Sequence, residues 1–224
     1  MMLPKHIAII PDGNRRWAKK HNVSIPYAYD RGITHIADVL KWCRKKKICE
    51  LTMWGFSTEN FMRDRKEVGN LFRLFNQKLS EGLEKDYRKY GVRVRFLGRL
   101  SSLPKDVVEK MRKAEKDTAA NGKYRLNLLL AYGGRNEILD AVNEALKRKV
   151  GKVDEKSFSS LLYMKDEPDL IIRTSGEMRM SGFLPWQGAY SEYYFSKKLW
   201  PDFDAREFSR ALKEYSRRRR KMGK

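Results

Sequence analysis

Three short stretches of this chain gather carboxylates, arginines, glycines and small polar side chains in the mixture that a polyanion site needs. The first is Pro11-Asp12-Gly13-Asn14-Arg15-Arg16-Trp17. Gly13 lets the backbone approach a ligand closely, and amides at a helix start favour phosphate. The forked donors of Arg15 and Arg16 match phosphate oxygens. Asp12 would repel such a ligand unless a cation joined them, and Mg²⁺ binds through one or two carboxylates together with substrate phosphates. An Asx turn, with Asp12 capping a helix and the arginines solvated, explains this stretch equally well by itself.

The second stretch, Gly55 to Arg63, carries Ser57, Thr58, Glu59, Asn60 and Phe61. Taken alone it is a polar loop with Ser57 or Thr58 as cap and Glu59 in the first turn. The third runs Arg173-Thr174-Ser175-Gly176-Glu177 and continues through Met178, Arg179, Met180 and Ser181, with Glu192 further on. Arg179 and Ser181 suit a second diphosphate, and Glu192 suits a second carboxylate for magnesium. Alone, this is a surface ion-pair network, worth little. Together, three phosphate-competent loops predict a site for two polyanions.

Other chemistry is not written in the sequence. There is no P-loop, no G-x-G-x-x-G and no H-E-x-x-H. His6, His21 and His35 form no cluster, and His6, heading a strand, reads as structural. Cys43 and Cys49 lack zinc spacing and read as plain thiols of a reducing cytosol.

The elements that would position these stretches alternate. Strand-like apolar runs cover His6–Ile10, Leu51–Phe56, Val92–Leu97, Arg125–Ala131, Leu170–Arg173 and Tyr193–Phe195. Ile33, Ile36, Ala37, Leu40 and Cys43 recur at helical spacing. So do Val68, Leu71, Phe72, Phe75, Leu79 and Leu83, in a helix expected to end near Gly91. Pro104 opens another helix after the candidate caps Ser101 and Ser102. Helices over Asn136–Arg148 and Ala205–Arg219 complete the set. The alternation predicts an α/β fold with a mostly parallel sheet. Each polar stretch then follows a strand, at the rim where such sheets bind ligands. The segment 174–190 has neither period and reads as a functional loop.

The chain has 224 residues, without repeats or a low-complexity linker, and reads as a single domain over 1–224. A hydrophobic fraction of 41% excludes a disordered chain. No apolar run is long enough to span a bilayer, and the short run before Asp12 reads as a strand, not a signal peptide. With 49 Lys and Arg against 28 Asp and Glu, the net charge is +21. That excess calls for anionic partners: nucleic acid, an acidic membrane surface or phosphorylated substrates.

Five ordered motifs resemble those of the cis-prenyltransferases, the undecaprenyl diphosphate synthase-like enzymes. They are HIAIIPDGNRRWAKK, GFSTENFMR, LLLAYGGRNEI, PDLIIRTSGEMRMSGFLPWQGAYSEYYF and LWPDFD. Pro11, Arg15 and Ala28-Tyr29 look like the archaeal branch, which typically takes geranylgeranyl diphosphate as primer. The absence of an Asp-Asp pair separates the chain from trans-prenyltransferases.

The resemblance implies Mg²⁺-dependent addition of isopentenyl diphosphate to an allylic diphosphate, giving a long-chain Z-polyprenyl diphosphate such as undecaprenyl diphosphate, precursor of a glycosyl carrier lipid. It implies that Asp12 binds or delivers Mg²⁺ and that Asn60 assists proton removal. Gly13, Asn14, Arg15, Arg16 and Arg63 would cradle the allylic diphosphate, with Tyr29 at a position that is His in many bacterial members. Trp17 and Phe61 would border the prenyl chain, and Ser57, Thr58 and Glu59 would line the site. Arg173, Arg179, Met180 and Ser181 would surround the isopentenyl diphosphate, and Glu192 would complete the metal site. Ile25, Met178 and Phe61 depart from common family residues, and the C-terminal element reads Lys221-Met222-Gly223. The implied fold is a six-stranded, mainly parallel sheet whose helices enclose an apolar tunnel, working as a homodimer. Phe72, Phe75, Leu79, Leu83, Ile36 and Leu40 are its candidate walls, or else simply core.

Such an enzyme would be cytoplasmic, and its basic surface suits weak association with an anionic membrane. Two rivals stay open: a non-catalytic partner subunit, and a nucleic-acid binder resting on Lys45–Lys47 and Arg217–Lys221. Retention of Asp12 and Asn60 argues against the first. The basic runs read as solvated helix faces, so nucleic acid is not the expected partner.

Overall fold

The computed structural model describes residues 2–81, 87, 88 and 90–218. All six expected strands form: β1 His6–Ile10, β2 Glu50–Trp54, β3 Val92–Leu97, β4 Tyr124–Leu129, β5 Leu170–Arg173 and β6 Glu192–Phe195. They make one sheet in the order β3-β4-β2-β1-β5-β6. Every pairing is parallel, where the resemblance implied only a mainly parallel sheet. Parallel neighbours need crossovers, and the intervening helices supply them.

The helices that bear on the site are α1 Asn14–Lys20, α2 Ile25–Lys45, α3 Arg65–Ser80, α4 Lys105–Asp117, α5 Gly134–Lys147, α6 Glu155–Leu161 and α7 Ala205–Arg217. Ser24 caps α2, accepting from the Tyr27 amide at 3.3 Å, with Pro26 in the first turn. Asp64 caps α3, accepting from the amides of Lys66 and Glu67. Two local expectations fail. Ser101 and Ser102 do not cap α4; they lie in a 3₁₀ turn over Leu100–Ser102, and Pro104 itself takes the cap position. Ala37 is exposed on α2, and Val39 takes its place in the core. Leu83, Arg219 and the Lys221-Met222-Gly223 element lie outside the described residues.

Alternation along β1 splits the core. Ile7 and Ile9 face the larger cluster, built with α2, α3, α4 and α7. Ala8 and Ile10 face the other side, with Phe183 and Leu184 of the irregular segment. Burial on both faces explains why the strands read as continuous apolar runs. The central trio β2-β1-β5 places the three polar stretches side by side. The chain order runs one way from β1 to β2 and the other way from β5 to β6, so the stretches meet where parallel sheets open a crevice. Lys45–Lys47 are exposed at the end of α2, where cations complement the helix dipole.

Candidate active site

The first stretch is a tight cradle. Beyond β1 the Asp12 amide returns to the Ile10 carbonyl at 2.9 Å. Gly13 then adopts φ +111, and a Cβ there would lie 2.9 Å from the Leu199 side chain. Only glycine fits both demands. Helix α1 starts at Asn14 with Gly13 as its cap residue and no side-chain cap, so Asp12 is not the helix cap that an Asx turn would make it.

The Asp12 carboxylate turns instead to the third stretch, accepting from Arg173 at 3.0 Å. Arg173 is buried and also donates to Ser181 Oγ at 2.8 Å and to the Arg179 carbonyl. The Asp12 carbonyl accepts from Thr174 Oγ1 at 2.7 Å and from the Trp200 amide at 3.0 Å. Asn14 Oδ1, Arg173 Nε and Ser175 Oγ are buried without partners. Such orphaned polar atoms are rare in native folds and call for an explanation, and these belong to the two polyanion stretches.

The second stretch is held from below. Ser57 starts a 3₁₀ turn over Thr58–Met62 with a reciprocal capping box, its amide donating to Asn60 Oδ1 at 3.0 Å. The capping read from sequence is therefore present, and it also aims Asn60 at the crevice. Ser57 bridges to Tyr132, whose hydroxyl donates to the buried Glu137 at 2.6 Å. Burial pushes the Glu137 carboxyl up, against the bonds it accepts from the Met164 amide, Tyr132 and Gln187. At the end of the turn, Arg63 donates to the Tyr29 hydroxyl at 2.7 Å, and Tyr29 donates to Glu67 at 2.9 Å. Burial pushes Tyr29 up to about 12, with the Arg63 charge opposing, so it stays a neutral donor.

Two connected hollows result. One, of about 670 Å³, is lined by Asp12, Arg15, Arg16, Lys19, Ile25 and Arg63, among others. Ile25 adds no charge there. The second, of about 260 Å³, has Asp12, Asn60, Arg173 and Ser181 at its polar end. Ile33 and Ile36 of α2, Phe56, and Leu71 and Phe75 of α3 line the remainder. Cations at one end and hydrocarbon at the other suit a diphosphate ester with an apolar tail.

Not every expected residue reaches this place. Glu192 opens β6 opposite Leu170, which lies opposite Ile7, whereas Asp12 follows the far end of β1. The two acids therefore sit on opposite rims and do not share an ion within one chain. Glu192 pairs instead with Arg218 at 2.7 Å. Trp17 is buried and donates to Asp202 at 2.7 Å; it packs with Ala18 and Ala28 and lines neither hollow. Phe61 is partly exposed against Phe56 and Phe72. Thr58 Oγ1 bonds Glu59, beside Gly133. Arg179 points its guanidinium to Glu177, which also meets Arg16 at 3.4 Å, and Met180 packs on the second core. Leu40, Phe72 and Leu79 belong to the core and do not line the hollow. Among the described residues no group of three or more His, Cys, Asp and Glu comes together. Asp12, one-third exposed, is the carboxylate that lines both hollows beside the arginines. That fits Mg²⁺ held jointly with substrate phosphates and no closed metal cage. Sequence reading missed Gly32 and Trp200, which line the second hollow, and Tyr132, Glu137 and Gln187, which support the Ser57 turn from behind.

Residues 10–223 match the family model described as putative undecaprenyl diphosphate synthase. The chain belongs to that family. An isoprenyl transferase of Thermotoga maritima is 46% identical over all of this chain and 98% of its own length. A tritrans,polycis-undecaprenyl-diphosphate synthase of Pyrococcus horikoshii, described as geranylgeranyl-diphosphate specific, is 42% identical over all of this chain and 88% of its own. Lavandulyl diphosphate synthase from Lavandula x intermedia, solved with dimethylallyl diphosphate, superposes with a TM-score of 0.93 at 31% identity, covering 99% of each chain. A probable undecaprenyl diphosphate synthase of Campylobacter jejuni gives 0.85 at 32% identity, with both chains fully covered. This member of the undecaprenyl diphosphate synthase family is a prenyltransferase, catalysing prenyl chain elongation on the six-stranded parallel scaffold described above.

Proposed function

We propose that the chain extends geranylgeranyl diphosphate by successive isopentenyl diphosphate units, with Mg²⁺, to a long-chain Z-polyprenyl diphosphate such as undecaprenyl diphosphate. The observation that carries this is the continuity of the arginine-lined cradle with the apolar groove between α2 and α3. Gly13, Asn14, Arg15, Arg16 and Arg63 hold the allylic diphosphate, and its tail runs along Ile33, Ile36, Leu71 and Phe75. Arg173 and Ser181 meet the isopentenyl diphosphate, with Arg179 closing over it. Asp12 holds Mg²⁺ together with phosphate, and the bound ion supplies positive charge to the departing diphosphate. The arginines stabilise the same developing charge. Holding both diphosphates in register aligns the isopentenyl double bond with the allylic carbon. The diphosphate released from the allylic carbon takes up the proton lost from the isopentenyl unit as the new Z double bond forms, and Asn60, fixed by its bond to Ser57, helps to orient it.

A homodimer is supported by Leu139, Val142 and Leu146, exposed at successive helical spacings on α5. The net charge of +21 supports weak association with an anionic membrane. Among the described residues no helix is long and apolar enough to cross a membrane.

The test is an incubation of purified protein with Mg²⁺, labelled isopentenyl diphosphate and a series of allylic primers, with products sized by chromatography. Polyprenyl diphosphates made fastest from the geranylgeranyl primer are expected. No labelled lipid from any primer would sink the reading.

A further inference from the structure

Gly32 sits inside the 21-residue helix α2, where alanine would favour the helix more. It is buried, and a Cβ there would lie 2.5 Å from Asn14 Oδ1, and 3.1 and 3.2 Å from Cδ1 and Nε1 of Trp200. Asn14 is a short side chain of the cradle, and this oxygen is one of the buried atoms without a partner. On its other side Gly32 offers its carbonyl to the Trp200 indole at 2.9 Å, and the Trp200 amide holds the Asp12 carbonyl at 3.0 Å. The next residue, Ile33, and then Ile36 line the apolar groove. One point on α2 therefore touches the diphosphate cradle directly and carries the groove wall. Gly69, inside α3, has nothing within 4 Å of its own added Cβ, so close contact is not general to helix glycines here.

We propose that Gly32 is a positioning residue whose missing side chain sets the register between the diphosphate cradle and the apolar groove, and so governs use of the allylic primer. This rests on the elongation reading above. A methyl group at Gly32 meets the tip of Asn14 before it meets backbone, so the chain stays folded while the cradle shifts.

The experiment compares Gly32→Ala, Gly69→Ala, Asn14→Ala and the Asn14→Ala/Gly32→Ala pair. Primer and isopentenyl diphosphate are varied separately, and melting temperature and calorimetric binding of inorganic diphosphate are recorded. Gly32→Ala is expected to lower kcat/KM for the primer by about 10-fold or more, with the KM for isopentenyl diphosphate within about two-fold of wild type. Its melting temperature stays near or above the wild-type value, and diphosphate binding weakens. In the Asn14→Ala background the same change adds no further loss. Gly69→Ala behaves as wild type. A Gly32→Ala protein that matches Gly69→Ala, that loses affinity for both substrates alike, that unfolds, or that loses as much without Asn14 overturns the proposal. A wild-type protein that elongates no primer defeats the underlying reading instead, and the diphosphate calorimetry still decides the positioning claim.

Discussion

Arg173 reaches across 161 positions of sequence to hold the Asp12 carboxylate at 3.0 Å, with the arginine buried and the acid one-third exposed. The acid thus faces two ways, toward a fixed guanidinium and toward the crevice. The arginine restrains the carboxylate without covering it, leaving it available to a cation that arrives with phosphate.

Replacing Asp12 by alanine should abolish incorporation of labelled isopentenyl diphosphate while the chain remains folded. Arg173 would lose its charged partner, lowering stability by about 1–2 kcal/mol once the solvent around the acid is allowed for. Calorimetry reads the second effect. Turnover close to wild type would refute the role given to Asp12.

Phe75 of α3 lines the apolar part of the groove. Phe75→Ala should open space there and lengthen the main product by at least one isoprene unit, seen by reversed-phase sizing. An unchanged length distribution would remove Phe75 from the wall.

His6 is buried in a network read as neutral: Nδ1–H donates to the Glu167 carbonyl at 3.0 Å, and Nε2 accepts from Thr52 Oγ1 at 2.8 Å. Burial lowers its pKa from the ordinary 6.5, with the nearby Glu50 charge opposing. Below about pH 6.5 the unfolded chain therefore takes up the proton first. Stability should be full above that pH and fall as pH drops toward the depressed folded value, with a slope of at most about 1.4 kcal/mol per pH unit. Denaturant titrations across this range should show that His6→Gln flattens the slope. Equal slopes in both proteins would contradict the neutral assignment.

Leu146 is 70% exposed on the α5 stripe with Leu139 and Val142. Leu146→Asp should convert a dimer to a monomer in sedimentation, with little change in melting temperature because the side chain touches no core. A dimer that survives this change would place the interface elsewhere.

The strands were legible because parallel strands covered on both faces leave continuous apolar runs. The first two loops could be placed on one rim for the same reason. Glu192 could have been excluded by the same logic: it opens its strand, and in a parallel sheet the start of a strand lies at the rim opposite the loops that follow strands. Trp17 looked available to substrate because sequence does not show which side of α1 meets Asp202. Glu137 was invisible as a support, because an acid in a first helical turn usually reads as exposed, and its burial is explained by its partners Tyr132, Gln187 and the Met164 amide. Gly32 was hidden because close approach between α2 and Trp200 depends on packing across 168 positions.

The pairing of Ile10 with Arg173 has a consequence for biosynthesis. A ribosome must deliver more than three-quarters of the 224 residues before the central strand finds its second neighbour. Until then the acid at the end of β1 lacks its buried partner Arg173 and has only the nearby Arg16, and a nascent fragment carries no competent centre. Contacts of such long sequence separation form slowly, so catalytic power arrives near the end of folding. Prematurely terminated chains should be inert toward the cell's diphosphate pools.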